Sequence, residues 1–123
     1  PMRVGIICAG DREAAPFLPV IQERRETGKA MLTFHEGTIS GVSVVVLFSG
    51  VCKVNAALAT QILIDTFGVD MVINAGTAGG MDPRLELFDV VIATEASYHD
   101  VAAHILRSST RGWKASFFRR ILR

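Results

Sequence analysis

The stretch DMVINAGTAGG, residues 70–80, decides the fold class because an apolar, β-branched run ends abruptly in a glycine-rich turn. Such a run is typical of a buried strand, and the turn after it exposes consecutive backbone N–H groups and the hydroxyl of Thr77. Open α/β sheets bind their ligands at the carboxyl ends of strands. The stretch therefore predicts a strand that leads into a site for an anion or a sugar hydroxyl.

The glycines of this turn do not match the common nucleotide-binding loops. Their spacing differs from GxGxxG, and no lysine follows as in GxxxxGK[ST], so dinucleotide and triphosphate binding are excluded. A simpler alternative is a tight turn that needs glycine for a positive φ. The sequence leaves the binding role and the simple turn open.

Patterns on both sides of this stretch predict an α/β fold with a mixed sheet. Helical spacing of apolar residues predicts a helix that begins after a cap at Asp11 and reaches Ile21, and a second helix over residues 53–68. Apolar and β-branched runs predict strands at residues 3–8, 70–75 and 89–94, and a hairpin of residues 30–38 and 42–48 with its turn at Ser40 and Gly41. Strands that alternate with helices in this way are typical of α/β proteins.

Length and composition limit the class of protein. The chain has 123 residues, 50% of them hydrophobic, which suits one globular domain. Cys8 and Cys52 show neither CxxC nor Cys/His ligand spacing, so no disulfide framework or zinc site is indicated. No apolar run approaches the ~18 residues of a membrane span, and no leader peptide is visible. We expect a protein of the reducing cytoplasm.

The charge changes sharply near the carboxyl end. Residues 1–100 carry 7 Lys/Arg and 12 Asp/Glu, a net of −5, whereas residues 101–123 carry 6 Lys/Arg and no acid, a net of +6. This break indicates that the end of the chain differs in origin from the rest. We predict that residues 1–106 are the amino-terminal part of a single domain and that residues 107–123 are a non-native, frame-shifted tail. The alternative is a basic amphipathic helix around Trp113 and Phe117 that lies on an anionic membrane surface.

Glu13 is the candidate for acid–base chemistry. Three segments follow predicted strands, and they are expected to converge on one cleft: residues 9–13, 49–53 and 76–80. Glu13 lies in the first of them, at the start of the first helix. It is either an acid that complements the helix dipole or a general base that activates water, with a second acid elsewhere for the leaving group.

The order of these pieces resembles a known family. MRVGIICAG, then Glu13, TFHEGTISG, SGVCKVNAALATQILI, DMVINAGTAGG and DVVIATEASYHD resemble the amino-terminal half of the 5′-methylthioadenosine/S-adenosylhomocysteine nucleosidases, in the nucleoside phosphorylase superfamily. The resemblance covers residues 2–106. It implies a cytosolic homodimer with a three-layer α/β domain around a mixed, barrel-like sheet, without metal, organic cofactor, nucleic-acid partner or membrane partner. The implied reaction is hydrolysis of the adenine–ribose bond in methionine salvage.

The resemblance also implies the site residues. Glu13 falls on the glutamate that activates water, and Thr77 falls on the usual serine of the glycine turn. Val51 matches an apolar residue beside the ribose and thio-substituent. The remaining implied contacts to the nucleoside come from the turn and, across the dimer, from the segment after the last predicted strand: Ala78, Gly79, Ala103 and Leu106.

Several residues depart from the family pattern. Cys52 and Phe88 each stand where the family has glycine, and Gly10, Asp11 and Arg12 replace a bulky apolar residue and an acid pair. The family's second half, with the aspartate that protonates the purine, is absent, so we expect this chain alone to be inactive. Arg12 also resembles the phosphate-binding cation of the phosphorylases, which leaves a phosphate-dependent reaction open. The third alternative is a non-enzymatic, truncated fragment.

Overall fold

The computed structural model describes residues 1–96 and Tyr98, which belong to two compact units. The first unit is Pro1–Gly79, and the second begins at Gly80. All helices and strands of the described residues lie in the first unit. The predictions for Ala103, Leu106 and residues 107–123 lie outside the described residues.

The first unit is built on a five-stranded sheet with the strand order β2-β3-β4-β1-β5. Strand β1 runs parallel to both β4 and β5, whereas β2, β3 and β4 pair antiparallel. The strands are β1 Arg3–Cys8, β2 Gln22–Lys29, β3 Leu32–Ile39, β4 Val42–Phe48 and β5 Met71–Asn74. The predicted mixed sheet is confirmed, and its parallel part brings the carboxyl ends of β4, β1 and β5 to one edge.

Helices cover both faces of this sheet. On one face lie helix α1, Asp11–Ala14, and the 3₁₀ helix that continues it, Ala15–Val20. On the other face lies helix α2, Lys53–Asp65, which buries Ala59 and Leu63 against the sheet. The three-layer arrangement expected from the sequence is therefore present in the first unit.

The central strands supply both hydrophobic cores. Successive side chains of a strand point to opposite faces, so Val44 and Val46 pack beneath the first helices while Val45 and Leu47 pack beneath α2. The ring of Phe34 stacks on that of Phe67, with centroids 4.5 Å apart. Burial on both faces explains why these strands are continuous apolar runs in the sequence.

The first helix differs from the prediction in its cap and in its geometry. Gly10 occupies the N-cap position, and Asp11 is the first helical residue. Only four residues form α-helix before the chain tightens into the 3₁₀ helix, which contains Pro16 and Pro19. Proline has no N–H to donate within a helix, so two of these positions cannot continue the α-helical hydrogen bonding.

The hairpin is confirmed, but the structure contains a strand that the sequence did not reveal. Ser40 and Gly41, with φ of 49° and 78°, form the turn between β3 and β4. Ala30 and Met31, predicted to begin the first hairpin strand, form instead a second turn with φ of 50° and 62°. That turn joins β3 to β2, whose residues are all exposed. A polar edge strand carries no buried pattern from which to predict it.

The predicted strand at residues 89–94 is wrong. In the second unit, none of the described residues forms a strand, and Val90 and Ile92 are exposed. The backbone N–H of Asp89 donates to the Glu86 carbonyl at 3.2 Å, in a turn. A strand needs a neighbour for its backbone hydrogen bonds, and within the described part of that unit the apolar run VVI has none.

Candidate active site

Glu13 lies where the carboxyl ends of two neighbouring parallel strands meet. It belongs to α1, which follows β1, while Thr77 belongs to the turn that follows β5. Because β1 and β5 pair side by side, residues 64 positions apart in the chain become neighbours. The sequence predicted both residues as site residues, and the structure brings them into contact.

Four hydrogen bonds hold the Glu13 carboxylate. Oε2 accepts from the backbone N–H groups of Ala9 at 3.0 Å and Gly10 at 3.1 Å. Oε1 accepts from the Thr77 backbone N–H at 2.9 Å and from the Thr77 hydroxyl at 3.0 Å. The side chain therefore links the end of β1 to the end of β5.

These donors change the acidity of Glu13. The Thr77 N–H, followed by the Gly10 N–H and the Thr77 hydroxyl, holds the pKa of the Glu13 carboxyl below its ordinary value, against a smaller opposing contribution from burial. Hydrogen bonds to the charged form favour that form. Glu13 is therefore ionised at neutral pH, which is the state required of a general base.

Gly76 makes this approach possible. A Cβ atom at residue 76 would lie 2.7 Å from Glu13 Oε1, so close that the carboxylate would have to move. Neither Gly76 nor Gly79 has a positive φ. The interpretation that the turn needs glycine for a positive φ is wrong at both positions, and at Gly76 glycine is required for close approach of the carboxylate.

The third segment follows β4, on the other side of β1. The N–H of Ser49 donates to the Cys8 carbonyl at 2.9 Å, which ties this segment to β1. Val51 is exposed, and its carbonyl accepts from Asn55 Nδ2 at 2.8 Å. Ser49 lies within the predicted segment of residues 49–53, although sequence analysis assigned it no individual role. All three predicted segments thus lie at the same edge of the sheet.

The other candidate residues have simpler environments. Ala78 and Gly79 are exposed, and a Cβ at Gly79 would meet nothing within 4 Å. Arg12 is exposed at the start of α1. Cys8 is fully buried; burial, and then the charge of Glu13, raises the pKa of its thiol, so it behaves as a small apolar core residue. Among residues 1–96 and Tyr98, no three His, Cys, Asp or Glu side chains are grouped to hold a metal ion.

The family follows from a match to most of the chain. The model of the phosphorylase superfamily matches residues 3–110. The chain therefore belongs to the phosphorylase superfamily. No helix in the described part of the chain is long and apolar enough to cross a membrane.

Within this superfamily, the similar sequences are 5′-methylthioadenosine/S-adenosylhomocysteine nucleosidases. The chain is 47% identical over 100 residues to the nucleosidase of Colwellia psychrerythraea, an alignment that covers 81% of this chain and 41% of that protein. It is equally identical, at 47%, to the nucleosidase of Anoxybacillus flavithermus, over 81% of this chain and 43% of that protein. The chain spans less than half the length of these curated relatives.

Solved structures show the same likeness. The Colwellia psychrerythraea nucleosidase in complex with adenine superposes with a TM-score of 0.82 at 42% identity, covering 94% of this chain and 46% of that one. The Neisseria meningitidis nucleosidase in complex with methylthio-immucillin-A gives 0.82 at 32% identity, over 100% of this chain and 51% of that one. The resemblance inferred from the ordered motifs is confirmed.

Proposed function

We propose that this chain carries the water-activating part of an N-glycosidase that hydrolyses the adenine–ribose bond of 5′-methylthioadenosine and S-adenosylhomocysteine, a step of methionine salvage. The observation that carries the proposal is the ionised Glu13 carboxylate, held by Thr77 at the meeting point of β1 and β5. The nucleosidases that the chain resembles support the choice of substrate.

Glu13 acts in this reaction as a general base. As the bond between C1′ and the adenine nitrogen breaks, its electron pair leaves with adenine and the ribosyl centre becomes oxocarbenium-like. A water oxygen bonds to C1′ while Glu13 takes the proton of that water. Val51 and the turn residues Thr77, Ala78 and Gly79 are proposed to contact the nucleoside. The acid that protonates adenine is expected in the part of the relatives that this chain does not cover.

A second copy of the chain is the proposed partner. Val54 and Leu58 are exposed on α2 at a spacing of four residues, and Val51, just before the helix, is also exposed. A stripe of this kind forms an apolar face that a protein partner can cover. From the resemblance, Ala103 and Leu106 of one subunit would cover the pocket of the other. Both cysteines are free thiols, which is consistent with the proposed cytoplasmic location.

Adenine release is the direct test of the proposed function. The chain alone is expected to release negligible adenine, because proton transfer to a leaving group is typically worth about 10²- to 10⁴-fold in rate. A fusion of residues 1–106 to the carboxyl-terminal remainder of the Colwellia psychrerythraea nucleosidase is expected to be active. In that fusion, Glu13→Gln should lower kcat by about 10²- to 10⁴-fold with little change in substrate affinity.

The controls separate the alternatives. Glu23→Gln, a matched change at an exposed residue of β2, should leave turnover unchanged. Omitting inorganic phosphate should also leave it unchanged, whereas a phosphorylase that uses Arg12 would need phosphate. If most of the turnover survives in Glu13→Gln, Glu13 is not the general base, and its carboxylate only stabilises the start of the helix.

A further inference from the structure

The Glu13 carboxylate has no free acceptor position in this structure. A carboxylate offers about four lone-pair positions, two on each oxygen. Ala9 and Gly10 donate to Oε2, and the Thr77 N–H and hydroxyl donate to Oε1. Glu13 is thus ionised but fully hydrogen-bonded, and a water that is to give it a proton must first replace one donor.

Three of the four donors are backbone N–H groups, those of Ala9, Gly10 and Thr77. The Cys8 carbonyl, in the same peptide group as the Ala9 N–H, accepts from the Ser49 N–H at 2.9 Å. On the other strand, the Ala75 N–H donates to the Ile7 carbonyl at 2.9 Å, two residues before Thr77. These bonds anchor the backbone at the Ala9 N–H and two residues before Thr77, on both sides of Glu13.

The fourth donor is free to move. Thr77 is exposed, and its hydroxyl is on a side chain that rotates about χ1 without disturbing the backbone. A hydroxyl can also donate to other acceptors, such as a hydroxyl oxygen or a ring nitrogen of a nucleoside. The Thr77 hydroxyl is therefore the donor that leaves Glu13 at the smallest cost.

We propose that Thr77 is a positioning residue whose hydroxyl occupies the acceptor position through which Glu13 takes its proton, and that this hydroxyl must turn away before a water can bind there. The proposal rests on the proposed function, in which Glu13 is the base. Rotation about χ1 vacates a position about 3 Å from Oε1, the normal distance for a water that donates to a carboxylate. A nucleoside acceptor that draws the hydroxyl away would couple substrate binding to the activation of Glu13.

Release of the hydroxyl also changes basicity in the required direction. The Thr77 hydroxyl is one of the donors that lower the pKa of Glu13. When it departs, the carboxylate loses a bond that stabilises its charged form, and its affinity for a proton rises. The site thus holds an ionised, weakly basic carboxylate at rest and a stronger base after release.

A titration of Glu13 in the 123-residue chain tests this without substrate. Carbon-detected NMR would follow the Glu13 carboxyl in the wild type, in Thr77→Val, which keeps the shape but removes the hydroxyl, and in Thr77→Ser, which keeps the hydroxyl. We expect an upward shift of the Glu13 pKa in Thr77→Val and a pKa near that of the wild type in Thr77→Ser. Three-bond couplings should show more than one χ1 rotamer for Thr77 once Glu13 is protonated.

A second hydroxyl–carboxylate pair provides the matched control. The Thr27 hydroxyl donates to Glu36 at 3.2 Å, so Thr27→Val should leave the Glu13 pKa unchanged. An unshifted pKa in Thr77→Val, or a single Thr77 rotamer throughout the titration, overturns the proposal. If Thr77→Val does not fold, Thr77→Ala answers the same question. Since no substrate is involved, loss of the proposed nucleosidase activity would leave this result standing.

Discussion

At the scale of single residues, Gly76 controls the contact between Glu13 and Thr77. In Gly76→Ala, the new Cβ would lie 2.7 Å from Oε1, so the carboxylate must move away from the Thr77 N–H. We expect the Glu13 pKa to rise toward its ordinary value, as measured by NMR titration. Gly79→Ala is the control, because its Cβ meets nothing within 4 Å, and it should leave the titration unchanged.

The depressed pKa of Glu13 predicts a pH-dependent contribution to folding. A carboxyl whose pKa is lower in the folded state stabilises that state above its unfolded pKa, and the contribution disappears as the pH falls through the folded value. Glu13→Gln should therefore be less stable than the wild type near pH 7. The difference in unfolding free energy between Glu13→Gln and the wild type should shrink as the pH falls below 4.5, the ordinary pKa of a glutamate carboxyl. Urea unfolding measured at a series of pH values from neutral to acid checks this.

The control for this measurement is Glu23→Gln, on the exposed strand β2. The difference in unfolding free energy between this variant and the wild type should remain small, because Glu23 is exposed. A Glu13→Gln difference that does not change with pH would show that the four hydrogen bonds do not favour the ionised carboxylate.

At the scale of elements, the start of α2 is strained. Cys52, its N-cap residue, has φ 78° and ψ 164°, a region that in practice belongs to glycine. Cys52→Gly should therefore stabilise the protein by about 1–3 kcal/mol in urea unfolding. Cys52→Ala is the matched control, since it removes the thiol but keeps the Cβ; an equal gain in this variant would contradict an origin in the backbone.

Cys52 and Phe88 illustrate what a sequence comparison reveals about an element. The resemblance identifies both as replacements of a family glycine, but it does not say what the glycine is for. The structure supplies the reason, since Phe88, like Cys52, has a positive φ, of 71°. A backbone that bends into this region depends on the path between elements, which no local pattern of side chains encodes.

At the scale of the whole molecule, the exposed stripe on α2 predicts self-association. Leu58→Glu places a charge beside Val54 on the exposed apolar face of α2, and it should convert a dimer into a monomer in sedimentation equilibrium. Thr33→Glu, at an exposed position of β3, is the control and should leave the association unchanged. A wild-type chain that is monomeric at all concentrations would contradict the proposed partner.

The sequence alone was sufficient for the elements whose burial is encoded locally. The runs of β1, β4 and β5 are apolar because the strands are covered on one or both faces, and α2 carries apolar residues at helical spacing. Strand β2 escaped prediction because it is a polar edge, and residues 89–94 were misassigned because an apolar run does not reveal whether a pairing strand lies beside it. Glu13 and Thr77 were identified separately, each at the end of its own strand.

Tertiary structure alone decided what these two residues do to each other. Their contact spans 64 positions and exists because β1 and β5 pair in parallel. The same pairing requires glycine at residue 76, lowers the pKa of Glu13 and brings the Thr77 hydroxyl, the one side-chain donor of the four, to Oε1. Hydrogen bonds depend on distances of about 3 Å between atoms, and only the packing of strands and helices sets such distances between remote parts of a chain.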